Sequence, residues 1–283
     1  MRNDFLIDTK SGCIIPNKVV VTTANRPWVH RPSPVASGDP FARQMVSADN
    51  IAITRKLLDG AVASARSAVS SSSKSSTMSC LHWIWQLAGL YHLTHFSPRL
   101  LEEAAQRFAS AGRWSLAQWA AQKASEERGH DQLALLDIQS LGYSAEAVVQ
   151  ALVPPTAAAL VEYFTRSVHA PDPISCVGYS YTMERLAMGI GEKYIQAVEA
   201  LLPSGIQATR CLRVHSNVGS DVEHVEETVE MVAGLALQER VSVAIACYET
   251  ALLYFRSPKE GYISKEELQN VLKPLKLHTH SCG

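Results

Sequence analysis

From Ala48 onward the chain is written almost entirely in helix-forming residues. Ala, Leu, Glu, Gln and Arg dominate, and Gly and Pro fall mainly in the gaps between periodic stretches. No convincing strand pattern appears after residue 45. A chain of this kind can bury its apolar faces only by packing helix on helix, so the fold class is all-α. Leu81 to His95 reads as an apolar, aromatic helix, and Ser97-Pro98 reads as the N-cap and first residue of the next. Trp114 to Leu141 reads as one long amphipathic helix closed by Gly142. Ser144 to Ala151, Pro155 to Val168, Ser175 to Leu202, Ile206 to about His215, and Asp221 to Phe255 follow. Ser264 and Glu267 form a capping box that opens a short C-terminal helix. With the shortest of these stretches counted as turns, the expectation is about seven to eight helices in one bundle. No repeat of fixed period is present.

The first 45 residues differ. Five of the 13 prolines lie there (Pro16, Pro27, Pro32, Pro34, Pro40), beside the β-prone runs Ile14-Ile15 and Val19 to Val21. They read as an extended arm with room for one short strand, lying on the main body or on a partner subunit. The expected division is an arm over 1–45, a bundle over 46–257, and a short helix with tail over 258–283. The serine-rich stretch between Ser64 and Ser79 reads equally as a flexible linker or as a small-residue helix segment.

Composition narrows the function classes. With 26 basic and 27 acidic residues among 283, the chain lacks the basic surplus of a nucleic-acid binder. Six cysteines without a C-x-x-C pair read as free thiols of a reducing cytosol. The N-terminus has no signal-peptide pattern, and no run approaches about 18 apolar residues. The expectation is a cytoplasmic protein without nucleic-acid or membrane partners.

What carries chemistry is the placement of a few acids and histidines. Glu127 and His130 stand i,i+3 in Glu126-Glu127-Arg128-Gly129-His130; on a helix that step is about 300°, so both face one side. Glu-x-x-His is the spacing that bundle metal sites use, and mixed oxygen and imidazole ligands suit iron or manganese better than zinc. The plainer reading is a solvated glutamate near a surface histidine. His215, Asp221 and His224 fall within ten residues, Asp221 and His224 again i,i+3; the competing reading makes Ser220 and Glu223 a capping box with Asp221 favouring a helix start. Glu184, flanked by Met183, Ala187, Met188 and Ile190, reads as inward-facing, unless Arg185 pairs with it at the surface. Gly189 and Gly191 suggest close approach of another helix or a ligand. His82, His92 and His95 share one aromatic helix without an acidic companion and read as packing or capping residues; His278 and His280 lie in the tail.

These residues, in this order, resemble the heme-oxygenase-like bundle shared by TenA, PqqC, CADD-like proteins and the heme-oxygenase-like di-iron oxidases. The resemblance spans about residues 48 to 256. It rests on Glu127-Arg128-Gly129-His130 followed by the stretch Asp131 to Gly142, an inward Glu184 54 residues after His130, and His215 with Asp221 and His224 beginning 31 residues after Glu184. The oxidase members hold metal with a Glu and a His on one helix, a Glu on a second, and H-x-x-x-D-x-x-H on a third. The resemblance implies two iron ions, manganese being possible as well. Glu127, His130 and His215 would hold one, and Glu184, Asp221 and His224 the other. It further implies dioxygen and a small organic substrate in the bundle interior, and a homodimer. Lys193 and Tyr194 are secondary catalytic candidates beside Glu184, because a Lys and a Tyr serve the reaction in the CADD-like branch.

Two departures stand out. Five residues, not three, separate His215 from Asp221. A six-residue step turns about 600°, a net 240°, so on a straight helix the two would not share a face. Either the helix breaks or bulges before Ser220, or His215 is not a ligand. Lys123 stands seven residues before His130, where some members carry Glu; pointing inward, it would oppose metal binding. The same bundle also allows a metal-free TenA- or PqqC-like enzyme, with Cys176 or Cys211 as nucleophile candidates, or a non-catalytic ligand-binding scaffold.

Overall fold

The computed structural model describes residues 19–23, 26–30, 46–69, 78–216, 221–256 and 263–277, and of 19–23, 26–30 and 221–223 the backbone alone. Within the arm, β1 (Val19–Thr23) and β2 (Arg26–His30) form an antiparallel hairpin, with Val19 opposite His30. Ile14 and Ile15 lie outside the described residues.

Among the described residues twelve α-helices follow. α1 (Ala48–Ala68) opens at Ser47, whose hydroxyl accepts the Asn50 N–H at 3.2 Å. α2 (Cys80–Ser110) is 31 residues long, about 46 Å at the helical rise, and is the spine of the molecule. α3 (Trp114–Glu126), α4 (His130–Ser140), α5 (Ala145–Ala151) and α6 (Pro155–His169) pack around it. Then come α7 (Ser175–Ala187), α8 (Glu192–Glu199), α9 (Arg210–Val214), α10 (Asp221–Ala233), α11 (Leu237–Phe255) and α12 (Lys265–Leu272). The capping box at α12 is formed: Glu267 N–H donates to Ser264 Oγ at 3.1 Å, and Ser264 N–H to Glu267 Oε2 at 2.9 Å. Of the serine-rich stretch, Ser64 and Ser67 continue α1, and residues 70–77 lie outside the described residues.

Part of the excess over eight helices arises where a stretch that reads as one helix is broken. Gly129, at φ 88°, separates α3 from α4; Met188 to Gly191 separate α7 from α8, and Gly234 to Ala236 separate α10 from α11. In the opposite sense, Ser97-Pro98 begins no helix. It lies inside α2, where Ser97 Oγ donates to Leu93 O at 2.7 Å. Tertiary packing on both sides of this point holds α2 continuous past a proline that would end an isolated helix.

Apolar burial forms two cores. One, around Phe108, Trp119, Phe164, Tyr179 and Val243, lies between the C-terminal half of α2 and α1, α3, α6, α7, α10 and α11. The other, around Trp83, Leu87, Ile138, Ile195 and Leu268, gathers the N-terminal half of α2 with α4, α5, α8, α9 and α12. The chain passes from the first core to the second at the α3–α4 break. Among the described residues no single helix is long and apolar enough to cross a membrane.

The close approach that the sequence placed at Gly189 and Gly191 occurs instead at Gly178. A Cβ there would sit 2.4 Å from Val243 O and 2.6 Å from Ala246 Cβ of α11, whereas at Gly189 it would meet only Leu186 O of its own turn. Gly178→Ala is expected to destabilise the fold by about 1–3 kcal/mol through overpacking. Gly189→Ala should cost less. Thermal unfolding of the two variants side by side checks the ranking.

Candidate metal centre

The site is built on the helix break. Gly129 adopts the left-handed conformation that glycine tolerates best. α3 therefore ends at Glu126, Glu127 becomes its C-cap, and His130 is the first residue of α4. Glu127 and His130 thus do not share the face of a continuous helix, as their spacing suggested. The turn nevertheless brings them together, with His130 Nδ1 3.3 Å from Glu127 Oε2.

His215 completes the group from a third element. It caps α9, and its ring meets that of His130 edge-on, 4.6 Å between centroids at 85°. One ligand atom from each of Glu127, His130 and His215 lies within 4.8 Å of the other two. The excess spacing before Asp221 is resolved by a break: α9 stops at Val214 and α10 starts at Asp221. His215 is thereby freed from the helical phase of His224.

The protonation states favour coordination. Burial opposes ionisation of Glu127, but the His130 hydrogen bond and the nearby Lys123 ammonium help hold its carboxyl below the usual glutamate value. Burial pushes the His215 imidazole down, which keeps a ring nitrogen lone pair available. Two imidazoles and one ionised carboxylate, half-buried and drawn from three helix ends, form the donor set that non-haem ferrous centres use. These residues fit an iron ion.

The second expected set does not assemble in the same way. Glu184 is buried as read, at 8% exposure, and a lysine faces it. Arg185 pairs with Asp59 at 2.7 Å. Glu184 Oε1 instead lies 3.0 Å from the ammonium of Lys123, a side chain only 2% exposed. The same ammonium lies 3.2 Å from Glu126 Oε2, and His224 Nε2 faces that oxygen at 3.4 Å. Gln122 fixes the other Glu126 oxygen, donating at 2.9 Å. Asp221 begins α10, and its side chain lies outside the described residues. Lys123 therefore does point inward, and Glu126, one residue before the expected ligand, joins the cluster.

Asp137 supports the site from the next layer and was not evident from sequence. It is fully buried two turns after His130 on α4, and it accepts from Cys211 N–H at 3.0 Å and Arg210 Nη1 at 2.9 Å. One helix thus carries His130 and tethers the start of the short helix that presents His215. Its place in an otherwise apolar stretch, Leu133 to Ile138, was the available signal.

The remaining candidates lie elsewhere. Lys193 and Tyr194 are exposed on α8, and the Tyr194 hydroxyl donates to Gln86 Oε1 at 3.3 Å, so neither is brought into the group around Glu127. His92 faces the carbonyls of Val149 and Leu152 at 3.0 and 3.1 Å and His82 faces Ser79, as packing or capping residues, whereas His95 does have an acidic companion, Asp131 of α4, at 2.8 Å. Cys176 and Cys211 are buried, and burial pushes both thiols far above the usual range. His278 and His280 lie outside the described residues.

Two solved structures are similar in fold. A domain of unknown function with a heme oxygenase-like fold from Shewanella denitrificans aligns with a TM-score of 0.54 at 21% identity, over 80% of this chain and 90% of that one. A TenA homolog from Pseudomonas syringae pv. tomato aligns with a TM-score of 0.51 at 12% identity, over 77% and 95%. The chain has the heme-oxygenase-like all-α fold. No curated protein sequence matches it. Residues 87–255 match the model of the iron-containing redox enzymes, and the chain belongs to that family.

Asp137→Ala would leave the buried Cys211 N–H without its acceptor. A loss of about 1–3 kcal/mol is expected, read as a lowered Tm. Leu136→Ala, on the exposed side of the same helix, should stay near wild type.

Proposed function

We propose that this chain is an iron-dependent oxidoreductase acting on a small organic molecule in the bundle interior, with Glu127, His130 and His215 holding the iron. The observation that carries this reading is the convergence of two imidazoles and a carboxylate from three helix ends, within 4.8 Å, in a member of an iron-containing redox family. Iron bound there supplies one-electron redox chemistry and a place for dioxygen to react. The chain's own residues do the rest. Glu127, kept ionised, offsets positive charge. His215, kept neutral, offers a lone pair. Asp137 anchors α9 so that His215 faces His130. Three protein ligands leave coordination positions open, which suits a reaction centre better than a structural site. A cysteine-based hydrolase on the same fold is disfavoured, because burial holds the Cys176 and Cys211 thiols in their unreactive form.

The test is anaerobic loading with ferrous iron, removal of free metal, and iron analysis, followed by measurement of dioxygen uptake. Wild type should retain iron and consume dioxygen with a suitable reductant. Glu127→Ala and His130→Ala should each weaken iron binding by more than the roughly 10–100-fold that loss of an outer-layer partner costs. Iron retained equally by both variants would contradict the assignment.

A further inference from the structure

The cluster around Lys123 has the make-up of a second metal site with one difference: its cation is already part of the chain. Glu184 and Glu126 offer carboxylate oxygens and His224 an imidazole, from α7, α3 and α10. The Lys123 ammonium stands between the two carboxylates, at 3.0 and 3.2 Å. A divalent ion held by those same oxygens would meet a positive charge at hydrogen-bond distance, on a side chain that is itself buried from water. The charges agree. Glu126, Glu127 and Glu184 bring three negative charges into one half-buried region; the ammonium and a single divalent ion at Glu127, His130 and His215 balance them. A second divalent ion would leave a surplus of two positive charges among these groups, and buried charge is tolerated when it is paired.

We propose that Lys123 is the resident cation of the second ligand set, so that this chain binds one metal ion, and that removing the lysine charge opens a second site. The proposal rests on the iron assignment to Glu127, His130 and His215 and adds to it the stoichiometry and the residue that sets it. Lys123 acts here as a positioning residue: it holds Glu184 and Glu126 in ion pairs and keeps both away from metal.

The test uses the full chain loaded anaerobically with Fe(II) alone, and in parallel with Mn(II) alone, with metal counted per chain and Mn(II) examined by electron paramagnetic resonance. Wild type should bind about one ion, with the spectrum of an isolated Mn(II), and Lys123→Glu about two, with the spectrum of a coupled pair. His224→Ala in the wild-type background should keep its one ion, whereas His224→Ala added to Lys123→Glu should lose the second. Should Lys123→Glu fail to fold, Lys123→Met keeps the apolar stem without the charge, and its metal content should rise above one as free Fe(II) is raised. Two ions in wild type, or one ion in both lysine variants, overturns the proposal while leaving the iron assignment standing. No ion in wild type or in any lysine variant overturns both.

Discussion

Three carboxylates packed between two hydrophobic cores need positive charge, and the arrangement of this site follows from how that need is met. Lys123 serves Glu126 and Glu184 directly. Glu127 turns instead toward two histidines, and burial pushes one of them, His215, toward its neutral form. A neutral imidazole beside an ionised carboxylate is a metal-binding arrangement rather than an ion pair. The two halves of the cluster thus differ in what faces their carboxylates, an ammonium in one and two imidazoles in the other.

The backbone breaks make that division possible. Were α3 and α4 one helix, Glu127 and His130 would be fixed by helical phase alone. Gly129 lets the chain change direction between them, at the point where it leaves one core for the other. α9 and α10 repeat the device. His215 caps a five-residue helix tethered by Asp137, and His224 rides a separate helix toward Glu126. Glu127, His130 and His215 come from helix ends, where side-chain direction is set by capping geometry and tertiary contacts rather than by the 3.6-residue period.

This explains what could be read from the residues. Helical composition after Ala48 and the apolar periodicity make an all-α bundle legible, and the Ser264 capping box places α12 to the residue. The set Glu127, His130 and His215 was legible as types and order, and a break before Ser220 was one of the two readings that the His215–Asp221 spacing left open. The helix count was not. A glycine inside a helix costs only about 1 kcal/mol, so Gly129 and Gly234 are compatible with continuation, and tertiary packing decides. Ser97-Pro98 shows the reverse, a strong start signal overridden by burial on both sides. Lys123 was visible as an oddity, but its inward direction depends on Glu184, 61 residues away. Lys193 and Tyr194 followed Glu184 in sequence and were left on the surface by the break after Ala187.

The most direct measurement is an anomalous-scattering map at the iron edge from crystals of the Fe(II)-loaded chain. The account predicts one peak, enclosed by Glu127, His130 and His215, with the Lys123 ammonium still between Glu126 and Glu184. A peak between Glu184 and His224, with Lys123 displaced, would contradict it.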